Sequence, residues 1–215
     1  MFQLPDAEHC HRLFSTDGYV LVDRSVPAGA AIDLAAVAAR AVHSFARSIE
    51  RPGTSGRLAY RVVTGDWIAS EASVLYELYT APALLAWVRK VTNCASVSRS
   101  QHVRSAININ CLTAPGDEYP LHRDALPYTV LLFLSDVEPA AGGQFLIHSL
   151  GGAVARIQPR LGQLLLMDGA RCRHGVEALA RDTWRLTVPM VFPAQFAERP
   201  EGLDFHLYGA DGPSS

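Results

Sequence analysis

His122 and Asp124 stand in the run E-Y-P-L-H-R-D, His174 in G-A-R-C-R-H-G-V, and Arg185 and Thr187 in W-R-L-T-V. Two imidazoles and one carboxylate on one face of an octahedral ion leave three positions open. That arrangement suits Fe(II) taking up a chelating co-substrate and O₂ together. Residues two apart on a strand project to the same side, so His122 and Asp124 can both ligate from one strand end while Arg123 points away. His174 lies far down the chain and must be carried back by the sheet. Arg185 falls on the following strand with Thr187 on the same side; a guanidinium fork and a neighbouring hydroxyl together suit the carboxylate of a bound diacid.

The elements that would position these residues change character along the chain. Residues 1–18 are mixed and polar, and Tyr19–Val22 reads as a short strand. Ala28–Ile49 carries apolar residues at three- and four-residue intervals, the pattern of an amphipathic helix. Two shorter helical patterns follow at Ser70–Thr80 and Pro82–Val91, the latter with proline at its first turn. Thr54–Trp67, with a β-like piece at Leu58–Val63, is expected to be a surface connection or a lid over substrate.

After Asn93 the period becomes two. Val103–Cys111 reads as one half-buried strand, and further strands are expected at 129–134, 144–148, 154–158, 163–167 and 183–192, separated by glycine- and proline-rich turns. The expected class is α+β, a double-stranded β-helix (jelly roll, cupin-like) with N-terminal helices packed on one sheet. A single domain over 1–215 would comprise mainly helical support at 1–95, a catalytic core at 96–193 and a C-terminal tail at 194–215 that wraps the surface or frays.

With these motifs in hand, the chain resembles the Fe(II)- and 2-oxoglutarate-dependent dioxygenases, in the branch of prolyl hydroxylases and small free-standing hydroxylases. The resemblance rests on His122-x-Asp124 with Tyr119 before it, the run Thr129–Asp136 followed by Gly142-Gly143, the distal His174, and Arg185-x-Thr187. It covers roughly residues 100–192. It implies iron held by His122, Asp124 and His174, and 2-oxoglutarate whose far carboxylate meets Arg185. It also implies O₂ as oxidant, with succinate and CO₂ released as an unactivated C–H is hydroxylated. Related halogenases carry a small residue where Asp124 stands, so the carboxylate favours hydroxylation, with desaturation or ring closure as variants. Phe133 takes the place of a tyrosine found in some relatives, which leaves Thr187 to help Arg185.

Other residues are open to two readings. Asn108 and Asn110 either face solvent or face inward beside His122 to bind 2-oxoglutarate or substrate, and Arg104 shares their side. Tyr119 either meets the co-substrate or packs. His9, Cys10 and His11 read as an exposed helix start, His102 and His148 as ordinary strand histidines, and Trp184 and Leu186 as core opposite Arg185.

The whole-chain numbers restrict the partners. Nineteen basic and 21 acidic residues give a net charge of -2, with no footprint for nucleic acid or an anionic membrane. The composition, 49% apolar and 19% charged, is that of an ordinary soluble domain. Four scattered cysteines without C-x-x-C spacing and no signal-peptide pattern point to reduced thiols in the cytoplasm, and no apolar run approaches the ~20 residues of a membrane helix. The expected partner is a small polar metabolite, such as a free amino acid or natural-product intermediate. The alternatives are a protein side chain, and a cupin-type metalloenzyme that does not use 2-oxoglutarate. The spacing gives no oligomeric state.

Overall fold

The computed structural model describes residues 2–52 and 57–209 as an α+β arrangement of two antiparallel sheets. Numbered in chain order, the larger sheet runs β1 (Tyr19–Val22), β9 (Leu164–Asp168), β6 (Tyr128–Phe133), β11 (Arg185–Phe192), β4 (Ile109–Leu112), β3 (Arg57–Val63) and β2 (Arg47–Pro52). The smaller runs β5 (Tyr119–His122), β10 (His174–Val176), β7 (Phe145–His148) and β8 (Val154–Ile157).

The two-residue period of the strands decides which side chains meet the site. On β11, Leu186, Val188, Met190 and Phe192 join the core beneath the helices, while Arg185, Thr187, Pro189 and Val191 line a cavity on the opposite face. On β6 and β9, Leu131, Phe133, Leu165 and Met167 pack against Phe145, Ile147 and Ile157 of the smaller sheet, forming the core between the sheets. Helices α1 (Ala7–Asp17), α2 (Ala28–Phe45), α4 (Ser73–Thr80) and α5 (Pro82–Thr92) contribute Phe14, Leu34, Leu75 and Trp87 to the outer core, so helices do pack on one sheet. Among the described residues no helix is long and apolar enough to cross a membrane. All four cysteines are free.

Several expectations need correction. The polar opening stretch contains α1, started by Asp6, whose carboxylate accepts from His9 N–H at 2.8 Å, and stopped by Gly18 at φ 78°. His9, Cys10 and His11 therefore lie within this helix, with Cys10 buried against α5's core. Helix α2 stops at Phe45 rather than Ile49, because residues 47–52 pair with β3 as strand β2. The segment expected as a surface connection or a lid carries its β-like piece, Leu58–Val63, within β3 of the larger sheet. Strand β3 lies between β2 and β4, and α3 (Gly65–Glu71) follows it; residues 54–56 lie outside the described residues.

The strand expected over Val103–Cys111 begins later, because Val103–Ala106 forms the short helix α6. Gly65 permits this turn: a Cβ there would lie 1.9 Å from Val103 O. His102 precedes that helix rather than standing in a strand, and Arg104 lies in it. Trp184 is exposed, unlike buried Leu186, since β11 starts only at Arg185. The C-terminal segment folds back as α7 (Leu203–Tyr208), with Tyr208 buried.

Candidate active site

His122 is the last residue of β5, and His174 the first of β10, directly opposite it in the antiparallel register. Asp124 lies just beyond the β5 end, where its N–H donates to Gly169 O at 2.9 Å. The Nε2 atoms of both histidines lie 3.4 Å from Asp124 Oδ1, and the three ligand atoms are within 4.8 Å of one another. Each imidazole is fixed from behind. His122 Nδ1 is 2.9 Å from Pro120 O, and His174 Nδ1 is 2.9 Å from Cys172 O. An Nδ1–H donated to each carbonyl leaves both Nε2 lone pairs aimed at one point, which is the tautomer a metal ligand requires.

Burial by itself would raise the Asp124 pKa, yet His174 and His122 hold the carboxylate well below its ordinary range. The converse holds at His174: burial opposes the cation, but Asp124 wins and the pKa is raised. Thr129 Oγ1 donates to Asp124 Oδ2 at 2.7 Å, reserving Oδ1 for the metal side. Thr129 is a functional residue that sequence reading passed over. Its only signal is a hydroxyl in the otherwise apolar or aromatic run of β6.

Arg185 is 1% exposed, and no carboxylate pairs with it among the described residues. Its Nε donates to Gly143 O at 2.6 Å, and its Nη2 has no hydrogen-bond partner. Gly142 and Gly143 both take positive φ, and a Cβ on Gly143 would lie 2.7 Å from Leu179 Cδ2 and 3.1 Å from Arg185 Cδ. That explains the glycine pair noticed in the sequence: it lets the backbone close on the guanidinium stem. Burial lowers the Arg185 pKa to about 9, with nearby Cys111 acting the other way, so the group stays cationic at neutral pH. An unpaired buried cation costs several kcal/mol unless something satisfies it. Its environment calls for an anion.

The triad and Arg185 line one cavity of about 560 Å³. Thr187 is buried in its wall, flanked by Asn110 on β4 and Phe133 on β6. Asn108 and Asn110 both line the cavity, which resolves the inward-or-outward question for these two. Tyr119 also lines it, its ring tilted against Tyr60 at 5.1 Å and His122 at 4.7 Å, and burial pushes its pKa well up. Arg123 is exposed, donates from Nε to Arg171 O, and also borders the cavity. Part of the wall was not foreseen: Arg199, Leu203, Leu207 and Tyr208 come from the C-terminal segment.

No protein-family model matches the chain, and no curated protein does. Solved structures do. The non-haem alpha-ketoglutarate-dependent epimerase SnoN from nogalamycin biosynthesis superposes with a TM-score of 0.72 at 19% identity, covering 96% of this chain and 91% of SnoN. The chain has the fold of the 2-oxoglutarate-dependent Fe(II) oxygenases. A Pseudomonas putida prolyl-4-hydroxylase matches with a TM-score of 0.64 at 16% identity, over 88% of this chain and all (100%) of that one. HygX from Streptomyces hygroscopicus, solved with nickel, 2-oxoglutarate and hygromycin B, gives 0.66 at 16% identity, covering 87% of each chain.

The residues here fit the groups that such oxygenases carry. Two imidazole Nε2 atoms and a carboxylate oxygen converge as a facial donor set for iron. The orphaned Nη2 of Arg185, in the same cavity, fits the far carboxylate of a diacid.

Proposed function

We propose that this chain is an Fe(II)- and 2-oxoglutarate-dependent oxygenase that hydroxylates an unactivated C–H of a small polar metabolite, a free amino acid or natural-product intermediate. In this reading the two sheets are the walls of a double-stranded β-helix, the chain acts as one domain in the cytoplasm, and nucleic acid and membranes are not partners. The observation that carries it is the buried, unsatisfied Arg185 Nη2 in the cavity that also holds the His122–Asp124–His174 donor set. A cupin-type reaction without a diacid leaves that cation unexplained.

Bound iron supplies O₂ activation coupled to the decarboxylation of 2-oxoglutarate, giving succinate, CO₂ and the hydroxylated product. The chain's own residues bind, orient and exclude. His122 Nε2, His174 Nε2 and Asp124 Oδ1 hold the metal, with Thr129 fixing the second carboxylate oxygen. Arg185 takes the far carboxylate of the co-substrate, Thr187 adds a hydroxyl donor, and Asn110, beside Thr187 in the sheet, adds an amide. Phe133 offers no donor. Tyr119 steadies the His122 ring from the side. Leu131, Met167 and Phe145 give the cavity an apolar wall.

A small molecule is favoured over a polypeptide because α7 and the chain before it supply part of the cavity wall. SnoN has been solved with nogalamycin RO and HygX with hygromycin B, which supports the same choice.

The test is anaerobic addition of Fe(II) and 2-oxoglutarate to metal-free protein. A weak visible metal-to-ligand charge-transfer band is expected, and folded protein that shows none refutes the assignment.

A further inference from the structure

Asn108 is 6% exposed, on the cavity face of the chain entering β4, and its backbone N–H donates to Pro189 O at 3.1 Å. Its side-chain Oδ1 is buried without a hydrogen-bond partner. The amide lies beside the Tyr208 hydroxyl of α7. Burial raises the Tyr208 pKa, and the Asn108 contact opposes that rise, as an N–H donated to the phenol oxygen does. The nitrogen end of the amide is thus turned to Tyr208, and the oxygen end is left over. A buried acceptor without a donor weakens the fold, so a ligand that provides one is expected.

The co-substrate cannot provide it. The carboxylates and keto group of 2-oxoglutarate only accept hydrogen bonds at neutral pH, and two acceptors do not pair. Arg185 and Thr187 are donors, matched to that diacid; Asn108 Oδ1 has the opposite polarity. The cavity it faces is mostly apolar, with Pro189, Val191, Leu203 and Leu207 in its wall beside the polar Ser105, Arg199 and His206.

We propose that Asn108, oriented by Tyr208, is a specificity-determining residue that accepts a hydrogen bond from a hydroxyl or amine of the substrate. The substrate class is then an alcohol or amine carried on an apolar, ring-sized skeleton. This narrows the metabolite of the preceding section and rests on that reading for the placement of 2-oxoglutarate. Tyr208 is a positioning residue, acting through the Asn108 amide.

The test compares 2-naphthol with 2-methoxynaphthalene, which differ in the hydrogen that Asn108 would receive. Binding of each is measured by calorimetry under anaerobic conditions, with and without Fe(II) and 2-oxoglutarate. The loaded protein is expected to prefer the naphthol by about tenfold, the loss expected when a site built to hydrogen-bond a hydroxyl meets an analogue lacking it. Asn108→Leu should bring the two ligands within about twofold while keeping the charge-transfer band. Its melting temperature should fall only slightly, since Oδ1 makes no hydrogen bond to lose and only the amide N–H donated to Tyr208 is removed. Tyr208→Phe should reduce the preference with the fold intact.

Equal binding of the two ligands to the natural chain, binding of neither, or a preference that survives Asn108→Leu overturns the proposal. So does a large loss of stability in Asn108→Leu, which would mark a structural amide. A missing charge-transfer band with the naphthol preference intact instead rejects the oxygenase reading and leaves this subsite standing.

Discussion

Asp124 and Gly169 approach so closely that only glycine fits: the Asp124 N–H donates to Gly169 O at 2.9 Å, and a Cβ on Gly169 would lie 2.2 Å from Asp124 Oδ2. The turn after β9 thereby positions the Asp124 carboxylate. Gly169→Ala should lower metal affinity about 10- to 100-fold by displacing the carboxylate. Gly151→Ala, at an ordinary φ with only Ser149 Oγ nearby at 3.7 Å, should bind metal normally. Anaerobic Fe(II) or Co(II) titration of both variants checks this.

Thr129→Val keeps the shape of β6 but removes the donor to Asp124 Oδ2. Metal affinity should fall by about tenfold, the usual cost of losing a partner that orients a ligand. Unchanged affinity in the same titration would show that the Thr129 hydrogen bond does not orient the ligand.

Replacing Arg185 separates stability from function. Arg185→Met fills the same space without a desolvated charge, so the metal-free protein should melt at the same temperature or higher. Its affinity for 2-oxoglutarate should fall by about 100-fold, the loss of a charge-assisted pair. Iron binding should persist. Calorimetry with 2-oxoglutarate, alongside thermal melts, reads both effects.

The stability of the metal-free protein should depend on pH through the Asp124–His174 pair. His174 has a raised pKa, so its contribution is complete below the unfolded value of about 6.5 and is lost as pH rises through the raised folded one. Asp124 has a lowered pKa, so its contribution is present above about 3.9 and is lost as pH falls through the folded value. Both shifts describe one interaction and are counted once. Metal-free protein should therefore be most stable between about pH 4 and 6.5. Metal affinity should move the other way, rising as His174 gives up its proton. Melting curves and metal titrations across pH 5 to about 8 distinguish the two trends.

Arg199 ties the C-terminal segment to the body of the protein, donating to Ser105 Oγ at 2.9 Å and pairing with Asp204. Arg199→Ala should loosen α7, seen as faster proteolytic cleavage near residues 199–209, with the iron and 2-oxoglutarate charge-transfer band retained. A cleavage pattern identical to the natural chain would show that α7 is held by its apolar contacts alone.

The sequence by itself determined which side chains could form the centre. His122, Asp124, His174, Arg185 and Thr187 are recognisable because ligand chemistry demands particular side chains, and strand periodicity places alternate residues on one face without knowledge of the partner strand. The alternating and β-rich runs likewise marked most of the sheet. What lay beyond reach depended on distant neighbours. Whether Asn108 and Asn110 faced solvent or cavity turned on which side of β4 the helices covered. The helical spacing continues through Ile49, yet β3 claimed residues 47–52 because pairing there satisfies their backbone groups. Val103–Ala106 alternates like a strand but turns as a helix against Gly65. The proline- and glycine-rich tail, polar enough to read as fraying, is recruited by Arg199 and by the burial of Tyr208. Local pattern fixes which side chains can bind a metal and a diacid. Only long-range packing decides which other side chains stand around them, because a face becomes an inside only when another part of the chain covers it.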